Sequence, residues 1–303
     1  MTALFERMAI IGLGLIGSSV ARVVRQHGLA DHIWVCARSP ETRQAATDLG
    51  LADAVFADVA DAVVDADFVL LCTPLGTYKS LAEAFGPSLK PGAIVSDVGS
   101  VKESAIRDIG PFMPDGVTFV PGHPVAGTEN SGPHSGYAEL FEDRWTILTP
   151  PDGTDQNAVD AVAEFWRQAG SMVEIMDAAH HDLVLAVTSH LPHLIAYNIV
   201  GTADDLATVT ESEVIKFAAG GFRDFTRIAA SDPVMWRDVF LTNRDAVLEM
   251  LGRFNEDLSA LQKAIRYKDG DALEALFTRT RHIRRGVIDA GQAEPDEAPD
   301  DAD

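Results

Sequence analysis

Cysteine is scarce. The 303-residue chain has two, Cys36 and Cys72, too few for a disulfide framework. Both fall in short apolar runs that read as strand ends, so buried thiols are expected. Positive charge is also short: 24 Lys and Arg stand against 46 Asp and Glu, a formal net charge of −22. A field of that sign repels nucleic acid and anionic membranes, and an anionic substrate must be met by local positive charge. No apolar window approaches the roughly 20 residues that span a bilayer. The opening MTALFERMAI lacks the long apolar stretch and small-residue cleavage site of a secretory signal. The expectation is a cytoplasmic protein with no nucleic-acid and no membrane partner. Residues 291–303 carry six acids, two prolines and no base, the composition of a disordered, solubilising tail.

What is present is a change of pattern midway. Short apolar runs recur at 8–11, 33–36, 68–72, 94–98, 118–120 and 145–148, and segments of helical spacing lie between several of them, at 18–26, 41–49 and 81–85. Strands alternating with helices imply a parallel, doubly wound sheet with helices on both faces. A helix at 157–168 and a strand at 173–176 close that half. After Asp177 the strand signals stop; 178–200, 212–217, 232–251 and 271–284 have helical periodicity. Pro192 is expected to kink the first of these helices. The expected fold is an α/β Rossmann-type doubly wound sheet over residues 1–177, an all-α domain over 178–288, and an acidic tail from 289.

Gly12-Leu13-Gly14-Leu15-Ile16-Gly17 follows an apolar strand and opens an amphipathic helix. The first glycine permits the tight turn, the second lets backbone approach a pyrophosphate, and the third allows close helix–strand packing. With a second strand at 33–36 the motif has the context that a dinucleotide site requires. Where that second strand ends, an NAD-preferring fold places Asp or Glu on the ribose; this chain has Ala37-Arg38-Ser39-Pro40. Arg38 and Ser39 suit a 2′-phosphate, which favours acceptance of NADP. The alternative is Arg38 stacked on adenine with NAD in use. Thr73 and Pro74, just past the run at 68–72, are further candidate cofactor contacts.

Asp97-Val98-Gly99-Ser100-Val101-Lys102 and Pro121-Gly122-His123-Pro124-Val125-Ala126-Gly127-Thr128-Glu129 each end a strand, and in an open parallel sheet the ligand crevice lies at such ends. His123 has the residue type to accept a hydroxyl proton while hydride leaves the same carbon; a structural histidine is the competing reading. In the helical half, Ser189 and His193 are four apart and share a face, with His190 pointing elsewhere. His180, His181, His190 and His193 lie near one another in sequence, but there is no HExxH and hydride transfer needs no metal, so no metal site is expected. Arg227, in an otherwise apolar stretch, needs an anionic partner: a substrate carboxylate or a surface salt bridge.

Taken in order, GLGLIG, DVGSVK, GHPVAGTE, TSHLPH, GGFRDFTRIA and SDPVMWRD resemble the prephenate/arogenate (cyclohexadienyl) dehydrogenase family from about Met8 to Arg285. The resemblance implies NAD(P)-linked oxidative decarboxylation of a cyclohexadienyl substrate in tyrosine biosynthesis. It implies that His123 takes the proton of the C4 hydroxyl, that Ser100 orients that histidine and the nicotinamide, and that Arg227 binds a substrate carboxylate. Ser189 and His193 would place the ring and side chain, Glu129 would gate or organise the pocket, and Asp224 and Trp236 would support it. Neutral Thr128 beside Glu129 does not demand an amine, so prephenate is expected, with arogenate left open. The family's helical domain implies a homodimer. The chain has room for neither an added mutase nor an added regulatory domain, so a stand-alone enzyme is expected, with any tyrosine inhibition competitive. Two rivals are a β-hydroxyacid dehydrogenase or imine reductase, which would carry Lys or Asp where Ser189 and His193 stand, and a non-catalytic nucleotide sensor, which needs no His123, Ser100 and Arg227 together.

Overall fold

The computed structural model describes residues 3–205 and 220–289; the expected helix at 212–217 and the acidic tail lie outside the described residues. Residues 1–248 and 249–303 form two compact units.

The first unit begins with β1 (Phe5–Ile11), α1 (Leu15–His27), β2 (Ala30–Cys36), α2 (Pro40–Asp48), β3 (Ala54–Phe56), α3 (Val59–Ala62), β4 (Phe68–Leu71), α4 (Tyr78–Phe85), β5 (Ile94–Asp97), α5 (Lys102–Ile109) and β6 (Thr118–Val120). The six strands form one parallel sheet in the order β3-β2-β1-β4-β5-β6. β1 is buried on both faces, as a central parallel strand must be. Its alternate side chains feed two cores: Met8 and Ile10 belong to one, which includes Phe165 and Val24, and Ala9 and Ile11 to the other, which includes Tyr78 and Phe85. The order reverses between β1 and β4, which opens a crevice at their carboxyl ends.

The expectation of a single sheet is corrected at its far end. β7 (Gly122–Pro124), β8 (Trp145–Leu148) and β9 (Met172–Ile175) make a separate three-stranded sheet, with β7 antiparallel to β8 and α6 (Gln156–Gln168) between β8 and β9. His123 therefore sits inside a short strand, and its backbone is fixed opposite Ile147. Both cysteines are free, and burial pushes the Cys36 thiol up to about 11.

Asp177 caps α7 (Ala178–Leu185), accepting from the N–H groups of Ala179 and His180. A π turn over Ala186–His190 joins α7 to α8 (Leu191–Asp205). The disturbance expected at Pro192 takes this form: Leu191 N–H reaches back five residues to the Ala186 carbonyl, and the widened turn precedes the proline that cannot donate. By length and composition the continuous helix Ala178–Asp205, with mean hydropathy 1.4 over its most apolar stretch, could cross a membrane. This corrects the expectation that no window approaches a span. It carries His181, Asp182 and His190, all buried and hydrogen-bonded within the protein.

α9 (Gly220–Thr226) and α10 (Pro233–Thr242) follow, the latter capped by Asp232 through the N–H groups of Val234 and Met235. The stretch expected as one helix at 232–251 is broken at Asn243, after which α11 (Arg244–Tyr267) begins. α12 (Gly270–Asp289) completes the described chain.

Candidate active site

The glycine turn sits at the crevice. Gly12 has φ +96°, a left-handed conformation that side chains resist, and a Cβ there would meet Thr73 Cγ2 at 2.7 Å. Thr73 therefore lies against the turn, across the switch point from it. A Cβ on Gly17 would collide with the Gly12 carbonyl oxygen, so the third glycine serves helix–strand packing. Gly14 differs: a Cβ there would meet nothing within 4 Å. It is the N-cap of α1, which has neither a side-chain cap nor an acid in its first turn. Free helix N–H groups beside open space fit a pyrophosphate, supplying donors and the positive end of the dipole together. Leu13 is buried beneath the turn, while Leu15 and Ile16 begin the helix.

At the end of β2, Ser39 is the N-cap of α2. Its hydroxyl oxygen accepts from Thr42 N–H at 3.0 Å. Arg43 Nη1 is tied to the carbonyls of Ala37 and Arg38 at 2.8 and 2.7 Å. Arg38 is exposed and, among the described residues, makes no hydrogen bond or ion pair with its side chain.

Past β5, Asp97 and Lys102 are both fully buried. Lys102 Nζ donates to Asp97 Oδ2 at 2.5 Å and to the Gly122 carbonyl at 2.6 Å. The Asp97 carboxylate also accepts from the N–H of Gly99 at 2.8 Å and of Gly122 at 3.2 Å. One ion pair thus pins the loop that carries Ser100 and the strand that carries His123. Burial pushes the Lys102 ammonium down from its ordinary value, and the Asp97 charge opposes that shift.

His123 Nδ1 lies 2.9 Å from His181 Nε2, and His181 Nδ1 lies 2.8 Å from Asp182 Oδ1. Asp182 in turn accepts from the backbone N–H groups of Lys102 at 2.7 Å and Glu103 at 3.0 Å. A carboxylate from α7 therefore caps the otherwise uncapped N-terminus of α5. The Asp182 carbonyl accepts from Asn243 Nδ2, which also bonds His190 Nδ1 at 3.0 Å. Burial holds the His123 imidazole well below its ordinary value, with the charges of His181, Lys102 and His190 adding to the effect. Burial also lowers His181, against the pull of Asp182, and takes His190 down to about 4. These imidazoles are neutral at pH 7.

His193 Nδ1 donates to the Ser189 backbone carbonyl one turn earlier, at 2.9 Å. The ring of His193 stacks on Trp236 with centroids 3.7 Å apart. Burial lowers His193, and the nearby Arg227 charge lowers it further. Arg227 Nη1 pairs with Glu129 Oε2 at 2.9 Å, with 54% of the arginine side chain exposed. The segment carrying Thr128 and Glu129 is anchored at its far end on α1, where Tyr137 N–H donates to Ser19 Oγ and Arg22 to the Pro133 carbonyl.

Two sequence expectations change. Among the described residues Ser100 makes no hydrogen bond to His123; the side-chain partner of His123 is His181. Asp224 is exposed and its ion-pair partner is the adjacent Arg223, at 3.7 Å, rather than a member of the pocket. Trp236 stacks on His193. Sequence reasoning weighed His181 only as a metal ligand and did not single out Asp182 or Asn243, because their partners across the fold lie 53 to 80 residues away.

Residues 20–175 match the family model for the nucleotide-binding domain of prephenate dehydrogenase, and residues 177–279 the model for its dimerization domain. A cyclohexadienyl dehydrogenase of Zymomonas mobilis is 43% identical, over 92% of this chain and 95% of the relative. The solved prephenate dehydrogenase of Aquifex aeolicus, in complex with hydroxyphenyl propionate and NAD+, superposes with a TM-score of 0.86 at 34% identity, over 93% of this chain and 98% of that one. A Synechocystis arogenate dehydrogenase structure gives 0.76 at 27% identity, over 92% and 99%.

Proposed function

The chain belongs to the prephenate dehydrogenase family, and from that premise we propose that it converts prephenate, and arogenate as well, by oxidative decarboxylation in tyrosine biosynthesis. The observation that carries the reading is a neutral, buried His123 whose Nδ1 is engaged by His181 and whose Nε2 has no hydrogen-bond partner among the described residues. A nicotinamide cofactor, when bound, accepts the hydride from C4 of the substrate ring. His123 Nε2 accepts the C4 hydroxyl proton as carbonyl character develops at that carbon. The bond to the ring carboxylate breaks, CO2 leaves, and its electron pair aromatises the ring; His123 returns the proton to the phenol oxygen. Prephenate gives 4-hydroxyphenylpyruvate and arogenate gives tyrosine.

Arg227 is the local positive charge that a dianion needs on a strongly acidic protein. It holds a substrate carboxylate by charge-assisted hydrogen bonds and gives up Glu129 as it does so. Glu129 acts as the gate: its carboxyl is held below the usual range first by its own backbone N–H and then by Arg227, so it stays charged and competes for the guanidinium. His193, Ser189 and Thr128 line the ring and side-chain end, and Ser100 faces the nicotinamide. Arg38, beside the N-terminus of α2, takes the 2′-phosphate of NADP, while NAD is accepted without it. The helical half, from 178 to 288, is the dimerisation domain of a cytoplasmic homodimer, and the exposed Leu258, Ile265, Phe277 and Ile283 suit such a role. His123→Asn tests the reading: kcat falls by about 10²–10⁴-fold with little change in KM, and an unchanged kcat removes His123 from the chemistry.

A further inference from the structure

The chain of buried hydrogen bonds behind His123 has a direction. Asp182 accepts on both carboxylate oxygens, from two backbone N–H groups whose donor role is fixed. The His181 Nδ1 that faces Oδ1 at 2.8 Å must then carry a proton and donate it. In a neutral imidazole that leaves His181 Nε2 as an acceptor, and the atom 2.9 Å from it, His123 Nδ1, must donate. His123 is left with a bare Nε2, the form that can take a proton.

We propose that His181 is a positioning residue for the reaction, held by Asp182, which fixes His123 as the Nδ1–H tautomer and keeps the Nε2 lone pair free for the substrate hydroxyl. The inference rests on the reading of His123 as the proton acceptor. When His123 gains the proton it becomes an imidazolium whose Nδ1–H still points at His181, and the Asp182 carboxylate one ring away balances the new charge. Asp182 has two tasks at once: it caps α5 and sets the direction of the chain. The other ionisable groups around His181 are committed elsewhere. Lys102 and Asp97 bond each other on the α5 and β5 side, and His190 accepts at Nδ1 from Asn243, whose orientation is fixed by donation to the Asp182 carbonyl. None of them offers His123 Nδ1 an alternative acceptor.

The test combines a tautomer measurement with two variants. Nitrogen-15 spectra of the histidine-labelled wild type, with His123 assigned by its loss in His123→Asn, should show a neutral ring protonated at Nδ1 and bare at Nε2. Protonation at Nε2 would overturn the inference without touching the reaction assignment, which wild-type turnover tests separately. His181→Leu removes the acceptor and should lower kcat by about 10²-fold or more, in the range seen when an orienting partner is lost, with KM for the substrate and cofactor within about twofold. His181→Gln, which keeps a carbonyl oxygen where Nε2 stood, should recover most of that loss. A merely structural role would lower both variants alike and would move KM or the melting point along with kcat. Leucine activity within threefold of wild type, or glutamine as poor as leucine, would refute the assignment. If the leucine variant does not fold, the tautomer spectrum decides.

Discussion

Replacing Lys102 by methionine keeps the length of the stem and removes its charge. Asp97 is then left fully buried without a cation, keeping the N–H groups of Gly99 and Gly122. Removing one partner of a buried ion pair costs about 3–5 kcal/mol, because the remaining charge loses its compensation. Total stabilities of about 5–15 kcal/mol make that a large fraction, and at about 2–4 °C per kcal/mol the melting point should fall by about 10 °C. Denaturant unfolding should show a lower midpoint at unchanged slope. The double variant Asp97→Asn/Lys102→Met, with no charge left to strand, should lose less than half as much. Catalysis supplies a second readout. The Lys102 charge is one of the influences that hold His123 down, so its removal moves His123 upward and the acidic limb of the kcat/KM profile to higher pH. If Lys102→Met lies within about 1 kcal/mol of wild type, the pair does not hold the two loops as argued.

Arg227→Ala should raise KM for prephenate by about 10²-fold, the loss of about 3 kcal/mol in two charge-assisted hydrogen bonds, with kcat nearly unchanged; an unaltered KM removes Arg227 from substrate binding. Glu129→Gln should lower KM, by less than about fivefold, because an ion pair this exposed to solvent competes only weakly for the guanidinium. His190 has its folded value lowered to about 4 from 6.5, so the unfolded chain binds more protons between those values and stability falls as pH drops through that window. From pH 7 to 5 its share is about 2 kcal/mol, and the difference in unfolding free energy between wild type and His190→Asn should shrink by that amount. Arg38→Ala should raise KM for NADP about tenfold or more and leave NAD within about twofold; equal effects on both would place Arg38 on the adenine.

Much of the nucleotide-binding half is legible in the sequence because its signals are periodic or local. The glycine turn stands between an apolar strand and an amphipathic helix, and β4, β5 and β6 are apolar runs with clear ends. β3 and β7 are three residues each, too short for alternation to show, and Gly122-His123-Pro124 reads as the end of the preceding strand until β8 is found to pair with it. The partners of His123 are hidden for another reason. His181 and Asp182 follow the helix cap Asp177 and look like the polar start of an apolar helix; only the packing of α7 on α5 gives them a task. Lys102 reads as the tail of a motif at a helix start, where lysine is ordinarily solvated, and its burial follows from the loop folding back over it. Asn243 interrupts what periodicity joins into one helix, because its side chain is committed to Asp182 and His190.

The central claim is the reaction itself, and the most direct measurement is nicotinamide reduction, followed by absorbance, with prephenate and arogenate each offered with NAD and with NADP. The account predicts turnover of prephenate with release of CO2 and 4-hydroxyphenylpyruvate, turnover of arogenate to tyrosine, and activity with both cofactors. No reduction in any of the four combinations, from folded protein that binds nicotinamide cofactor, would contradict it.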